Sequence, residues 1–134
     1  MRVNVKCKGF TLIELLIVIV ILGLLMSLVA PAMFSTLGSS KQKTAVAQMK
    51  MIQTALDTYR LDIGHYPSSL QELRTSKDPN WDGPYIPKDV PADPWGNQYS
   101  YQVPGVNGAE YSLNSYGKDG KVGGSGENED LSVE

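Results

Sequence analysis

Phe10-Thr11-Leu12-Ile13-Glu14-Leu15-Leu16-Ile17-Val18-Ile19-Val20-Ile21-Leu22-Gly23-Leu24-Leu25-Met26-Ser27-Leu28-Val29-Ala30-Pro31-Ala32-Met33-Phe34 sets the architecture of the chain. No polar side chain falls between Leu15 and Met26. As a helix, roughly 20 such residues span about 30 Å, the thickness of a bilayer's hydrocarbon core. Glu14 does not suit a simple anchor. A carboxylate in lipid costs several kcal/mol unless paired or protonated, so it marks a functional position. Ahead of the run, residues 1–9 carry Arg2, Lys6 and Lys8 and no acid. Basic flanks stay cytoplasmic, which directs the rest of the chain outward.

Downstream of Phe34 the pattern changes. Ser35 to Lys43 is polar, and then Ala45, Met49, Ile52, Leu56, Tyr59 and Ile63 step by alternating fours and threes, one apolar stripe on a helix. The spacing predicts a single helix from about Thr11 to Asp62, apolar all round at first and amphipathic after. Pro31 lacks an amide donor and should kink or locally melt it. Gly64 reads as its C-cap. Ser68 or Ser69 can cap a short helix holding Leu70, Glu72 and Leu73 and ending near Thr75. Gly83 to Pro87 is extended, an edge strand at most because of its prolines. Asp93-Pro94-Trp95-Gly96-Asn97 is a turn, with the Trp95 indole expected to bond backbone. Gln98–Val103 alternates Tyr99, Tyr101 and Val103 against polar residues, and 109–115 alternates Ala109, Tyr111 and Leu113. These read as two antiparallel strands reversed at Pro104-Gly105-Val106-Asn107-Gly108. With an irregular third strand they form a small sheet over the helical stripe, an α+β fold.

Composition excludes several functions. The chain has 134 residues, 12 basic and 14 acidic. Without its first nine residues, three of them basic, it carries a net charge of −5. An acidic chain with no basic patch argues against nucleic acid as partner. Cys7 is the sole cysteine and lies in the leader, so the remainder forms no disulfide. His65 is the sole histidine, a turn residue. No nucleophile elbow, phosphate loop or catalytic constellation appears, which points away from an enzyme.

The order basic leader, Gly9, Phe10, three residues, Glu14 and an unbroken apolar run resembles the class III signal of type IV pilins and type II secretion pseudopilins. The resemblance implies that a prepilin peptidase cuts after Gly9 and methylates the new N-terminus at Phe10. It also fits the charge problem of Glu14. Cleavage leaves an amine on Phe10, and Glu14 of one subunit can neutralise the Phe10 amine of a neighbour, removing both charges from lipid. Ala30-Pro31-Ala32 offers a rival reading, an ordinary signal peptidase site that would free a soluble domain. Its apolar region would be longer than usual and would carry a carboxylate.

Gly64-His65-Tyr66-Pro67, Asp93-Pro94-Trp95-Gly96-Asn97 and Ser115-Tyr116-Gly117-Lys118-Asp119-Gly120 extend the likeness over nearly the whole chain. They look like the major-pseudopilin family of the type II secretion system, with a type IV pilin-like fold. The implied organisation is a leader (1–9), a transmembrane and assembly half-helix (10–34) and a periplasmic domain (35–134). The implied function is a structural subunit of a periplasmic pseudopilus that drives folded proteins through the outer membrane. Its partners would be copies of itself, minor pseudopilins, the prepilin peptidase, an inner-membrane assembly platform and membrane lipid. A surface pilus of the type IV group is the alternative, and the absence of a C-terminal disulfide separates the two.

Tyr116 to Asp130 contains five glycines together with Asp119, Ser125, Glu127, Glu129 and Asp130. Composition alone reads as a disordered acidic tail, and the spacing is not that of an EF-hand. Turning glycines and hard oxygen ligands nevertheless suit Ca2+. The resemblance implies a calcium site here, with Asp119 and Asp130 as side-chain ligands. The Tyr116 and Val122 carbonyls, Ser125 and the Glu127 region would complete it. Gly126 stands where some relatives have an acid.

Overall fold

The computed structural model describes residues 6–133; Arg2 of the leader and Glu134 of the acidic loop lie outside the described residues. Two compact units divide the chain at Leu37 and Gly38. One helix, α1 (Leu12–Ile63), contributes to both. Its ends fall within a residue of those expected from the apolar pattern. Gly64 closes it with φ +96°, donating its N–H to Arg60 O at 2.7 Å. The absent Cβ makes that left-handed backbone inexpensive.

In the first unit every residue from Phe10 to Val29 is exposed, Phe10 to 90% and Leu28 to 78%. This helical half packs on nothing within its own unit, and by length and composition it can cross a membrane. The local melting expected at Pro31 does not occur, since α1 runs through it unbroken. Proline removes one N–H from the ladder. The turns beside it remain bonded, and the Ser27, Ser35 and Thr36 hydroxyls donate to the Leu24 and Ala32 carbonyls at 2.8–2.9 Å.

In the second unit the amphipathic stripe is the core. Ala45, Met49, Ile52, Leu56 and Tyr59 are buried, and Ile63 packs at the edge of the cluster. Leu70, Leu73, Ile86, Tyr99, Tyr111 and Leu113 cover them. Burying each large apolar side chain contributes roughly 1.5–3 kcal/mol, which leaves the core to stabilise a unit that has no disulfide.

The sheet has three strands in the order β1 (Ser100–Gln102), β2 (Ser112–Ser115) and β3 (Leu131–Val133), all antiparallel. Tyr101 pairs with Leu113, and Leu113 with Val133. Alternation along β2 turns Leu113 and Ser115 inward and leaves Ser112 and Asn114 half-exposed. The third strand comes from the chain end and not from Gly83 to Pro87, which forms no strand. Ala109 is exposed and does not join the inward face. Its carbonyl accepts the Gly105 N–H at 3.0 Å, so it belongs to the reversal before the ladder begins.

Two tyrosines tie the sheet region to the rest of the core. Tyr99 Oη donates to Gln48 Oε1 at 2.6 Å, and Tyr101 Oη to the Pro67 carbonyl at 2.8 Å. Burial pushes both phenols well above their ordinary range. The short helix after Ser69 is a single 3-10 turn, Leu70–Leu73, and Ser69 makes no side-chain cap. Glu72 instead reaches back to the Ser68 N–H at 3.2 Å and to the Ser68 hydroxyl. The Trp95 indole N–H is buried without a partner, contrary to expectation. The indole that does bond backbone is Trp81, 2.8 Å from the Glu72 carbonyl.

Candidate functional site

Two sites expected from the sequence lie in different units, and each is built locally. The first is the junction around Gly9. Residues 6–11 have no regular structure and are exposed, and a side chain at Gly9 would meet no atom within 4 Å. The sequence reading missed the role of Thr11. Thr11 N–H donates to Glu14 Oε2 at 3.0 Å, and Glu14 N–H donates to Thr11 Oγ1 at 3.2 Å. This is a reciprocal capping box at the start of α1, legible in the Thr-x-x-Glu spacing. It satisfies two helix-terminal donors that lipid could not, and it sets the Glu14 carboxylate against the backbone one residue beyond Phe10. An acid in the first turn is also favoured by the helix dipole.

The second site is the loop from Tyr116 to Asp130. Glycine governs its path. A side chain at Gly117 would lie 2.6 Å from the Glu127 carbonyl oxygen and 2.9 Å from the Asn128 carbonyl carbon, so the two arms of the loop touch there. Lys118 N–H donates to the Glu127 carbonyl at 2.8 Å, and Lys118 Nζ pairs with the Glu127 carboxylate at 3.5 Å. Ser125 and Gly126 accept from the N–H groups of Asn128 and Glu129 at 3.1 and 3.2 Å. Asp130 Oδ2 accepts the Gly123 N–H at 2.8 Å, while its Oδ1 is buried with no partner.

The six residues expected as ligands are therefore gathered unevenly. Asp119 is exposed, its Oδ1 accepting the Lys121 N–H at 3.1 Å. Val122 is 81% exposed, Ser125 is exposed and Tyr116 is half-buried. No group of three or more His, Cys, Asp or Glu side chains converges among the described residues. An orphaned, buried carboxylate oxygen still costs free energy unless a donor or a cation meets it. Asp130 Oδ1 is the atom of this loop that fits a hard cation, and the surroundings offer oxygen but no imidazole or thiolate. The Gly38, Gln42 and Glu127 contact, by contrast, carries no sequence signal. Gln42 Nε2 donates to the Gly126 carbonyl at 2.6 Å across 84 positions of chain.

Comparison with known proteins places the whole chain in one family. A family model described as type II secretion system (T2SS), protein G, matches residues 32–134. One described as the prokaryotic N-terminal methylation motif matches residues 4–30. The chain is similar to type II secretion system core protein G of Pseudomonas aeruginosa, 44% identical over 132 residues that cover 92% of each chain. The same-named protein of Escherichia coli strain K12 is 41% identical, covering 92% of this chain and 90% of its own. Among solved structures, the major pseudopilin from the type 2 secretion system of enterohaemorrhagic Escherichia coli aligns with a TM-score of 0.58. It shares 26% identity and covers 72% of this chain and 85% of its own. The chain belongs to the type II secretion system protein G family.

Proposed function

We propose that the chain is the major structural subunit of the periplasmic pseudopilus of the type II secretion system, a filament component and not an enzyme. The observation that carries this is the first unit. Its helix exposes apolar side chains on every side yet keeps one carboxylate, Glu14, held at the helix start by Thr11. Such a surface is stable in lipid or against copies of itself, and not in water. A prepilin peptidase removes residues 1–9, and Phe10 becomes a methylated amine. Subunits wait in the inner membrane with residues 35–134 in the periplasm. They then leave lipid by stacking α1 against α1, with Glu14 of one subunit meeting the Phe10 amine of the next. In low dielectric such a pair is stable only when both partners are present, so the carboxylate gives the stack its register. Minor pseudopilins and an inner-membrane assembly platform are the remaining partners of this reading.

The acidic loop is proposed to hold Ca2+. Asp130, with its unpartnered oxygen, and Asp119 would be the side-chain ligands, with the Tyr116, Val122, Ser125 and Glu127 region supplying further oxygens. The cation would neutralise carboxylates that otherwise repel one another.

The decisive experiment is mass-spectrometric reading of the mature N-terminus together with filament shearing from cells that express the whole secretion machinery. A methylated start at Phe10 and sheared filaments of this chain are expected. A start at Met33, after Ala30-Pro31-Ala32, would overturn the reading.

A further inference from the structure

We infer that residues 126–128 act as a strap, making order in the acidic loop and order in the first globular turns of α1 one cooperative event. This rests on the calcium reading only for the metal arm of its test. Between residues 38 and 44 only Gly38 is buried; the helix meets the sheet-side core from Ala45 onward. The cover over Gly38 is Glu127. A side chain at Gly38 would lie 2.8 Å from Glu127 Cγ, so it would have to push the Glu127 side chain aside. One turn on, Gln42 Nε2 holds the Gly126 carbonyl at 2.6 Å. The strap also meets Gly117 through the Glu127 and Asn128 backbone, at a distance that no side chain would permit, and Lys118 bonds it through both backbone and ammonium. The three-residue segment therefore touches two glycines from distant parts of the chain.

Each side needs the other. Gly38-Ser39-Ser40 is a poor helix-forming run, and a turn made of it persists only if tertiary contacts hold it. The loop is rich in glycine and in carboxylates at 119, 127, 129 and 130, so it gains little order by itself. Local openings of linked segments of this kind occur as one unit. A cation that orders the loop would, through Gly126 and Glu127, also fix the helical turn at 38–42.

Hydrogen exchange read by mass spectrometry on the full chain in detergent micelles tests this. Gly38→Leu improves helix propensity but displaces Glu127, and Gln42→Leu keeps propensity but removes the donor. With the metal chelated, both variants are expected to exchange loop amides 117–130 about threefold to tenfold faster, the equivalent of one net hydrogen bond. Amides between Met49 and Tyr59 serve as the control for intact folding and should not move. Loop exchange unchanged in Gln42→Leu overturns the strap. In the wild type, added Ca2+ should protect segments 38–44 and 117–130 with one midpoint. Protection confined to the loop likewise overturns the strap. Protection of neither segment sinks the calcium reading, and the variants measured in chelator still decide the strap.

Discussion

Ser115 Oγ donates a 2.8 Å hydrogen bond to Asp93 Oδ2, with both side chains buried, so the end of β2 is fastened to the start of the 93–97 turn. The other carboxylate oxygen accepts the N–H groups of Trp95 and Asn97 at 3.1 and 2.8 Å. Asn97 Nδ2 then bonds the Gly117 carbonyl at 2.9 Å, at the mouth of the acidic loop. A buried carboxylate with three donors, and no cation paired with it among the described residues, depends on those donors. Ser115→Ala is expected to cost about 1–2 kcal/mol and Asp93→Ala about 3 kcal/mol. In the full chain in micelles, thermal melting by circular dichroism should fall by about 4–8 °C per kcal/mol. An Asp93→Ala melt equal to wild type would show that the turn is held by its backbone alone.

Leu113 is fully buried at the centre of the sheet, paired with Tyr101 on one side and Val133 on the other. Leu113→Ala removes about three carbons from a packed site and should destabilise by about 2–5 kcal/mol. Exposed Leu61, 84% accessible, is the internal control. Leu61→Ala should change the urea midpoint little, and equal effects at the two sites would contradict the assigned core.

Tyr59 and Glu72 share a 2.7 Å hydrogen bond, and their titrations act at opposite ends of the pH scale. Burial raises Tyr59, with the Glu72 bond adding to it, to about 12. Burial alone would raise Glu72, but the Ser68 and Tyr59 hydroxyls outweigh it and hold the carboxyl below its ordinary value. The Glu72 contribution is therefore present above the ordinary carboxyl range and is lost as pH falls through its lowered folded value. The Tyr59 contribution is complete below about pH 10 and is lost as pH rises towards 12. Urea midpoints of wild type and Glu72→Gln should differ at neutral pH and converge below about pH 4. The Tyr59 phenol should also titrate lower in Glu72→Gln. A gap that persists in acid would mean that the Glu72 charge contributes nothing.

Glu14→Val removes both the carboxylate and half of the Thr11 capping box. The helix start should weaken by about 1 kcal/mol, which a membrane helix of this length tolerates. Processing after Gly9 and membrane insertion should continue while sheared filaments disappear from immunoblots. Thr11→Ala, which removes the other half of the box but keeps the charge, separates the two roles. If it assembles, charge is the requirement. Normal filaments from Glu14→Val would make the carboxylate a cap only.

Asp130→Ala should abolish the response of the melting curve to Ca2+, since its Oδ1 is the buried oxygen without a partner. Exposed Asp119→Ala should weaken that response less. Sites of extracellular type bind with constants of about 10⁻⁴–10⁻³ M, and saturation at 100 times that constant adds roughly 2.7 kcal/mol. Wild-type protein should melt lower in chelator and recover with Ca2+ but not with Mg2+. Identical curves for wild type and Asp130→Ala under all three conditions would return the loop to an unliganded tail.

The sequence by itself determined α1 almost to the residue, its membrane-length half and the antiparallel pair. All of these are encoded by periodicity or composition within short windows, where local sterics and solvent transfer decide the outcome. The buried stripe from Ala45 to Tyr59 was legible for the same reason. What only the tertiary structure decided depends on pairs far apart in the chain. The third strand is Leu131–Val133, because β2 presents a free edge that Gly83 to Pro87 cannot fill: Pro84 and Pro87 have no amide donor, and the Tyr85 N–H is given to the Leu73 carbonyl at 2.8 Å. Ala109 points outward because the reversal extends to it. The indole that bonds backbone is Trp81, since only there does packing bring a carbonyl within reach. Asp119 and Asp130 look alike in sequence, yet Asp119 is exposed while Asp130 has a buried carboxylate oxygen without a partner. Gln42 meets Gly126 across 84 positions through a contact that no local pattern encodes, because it exists only once the loop has folded back against the helix.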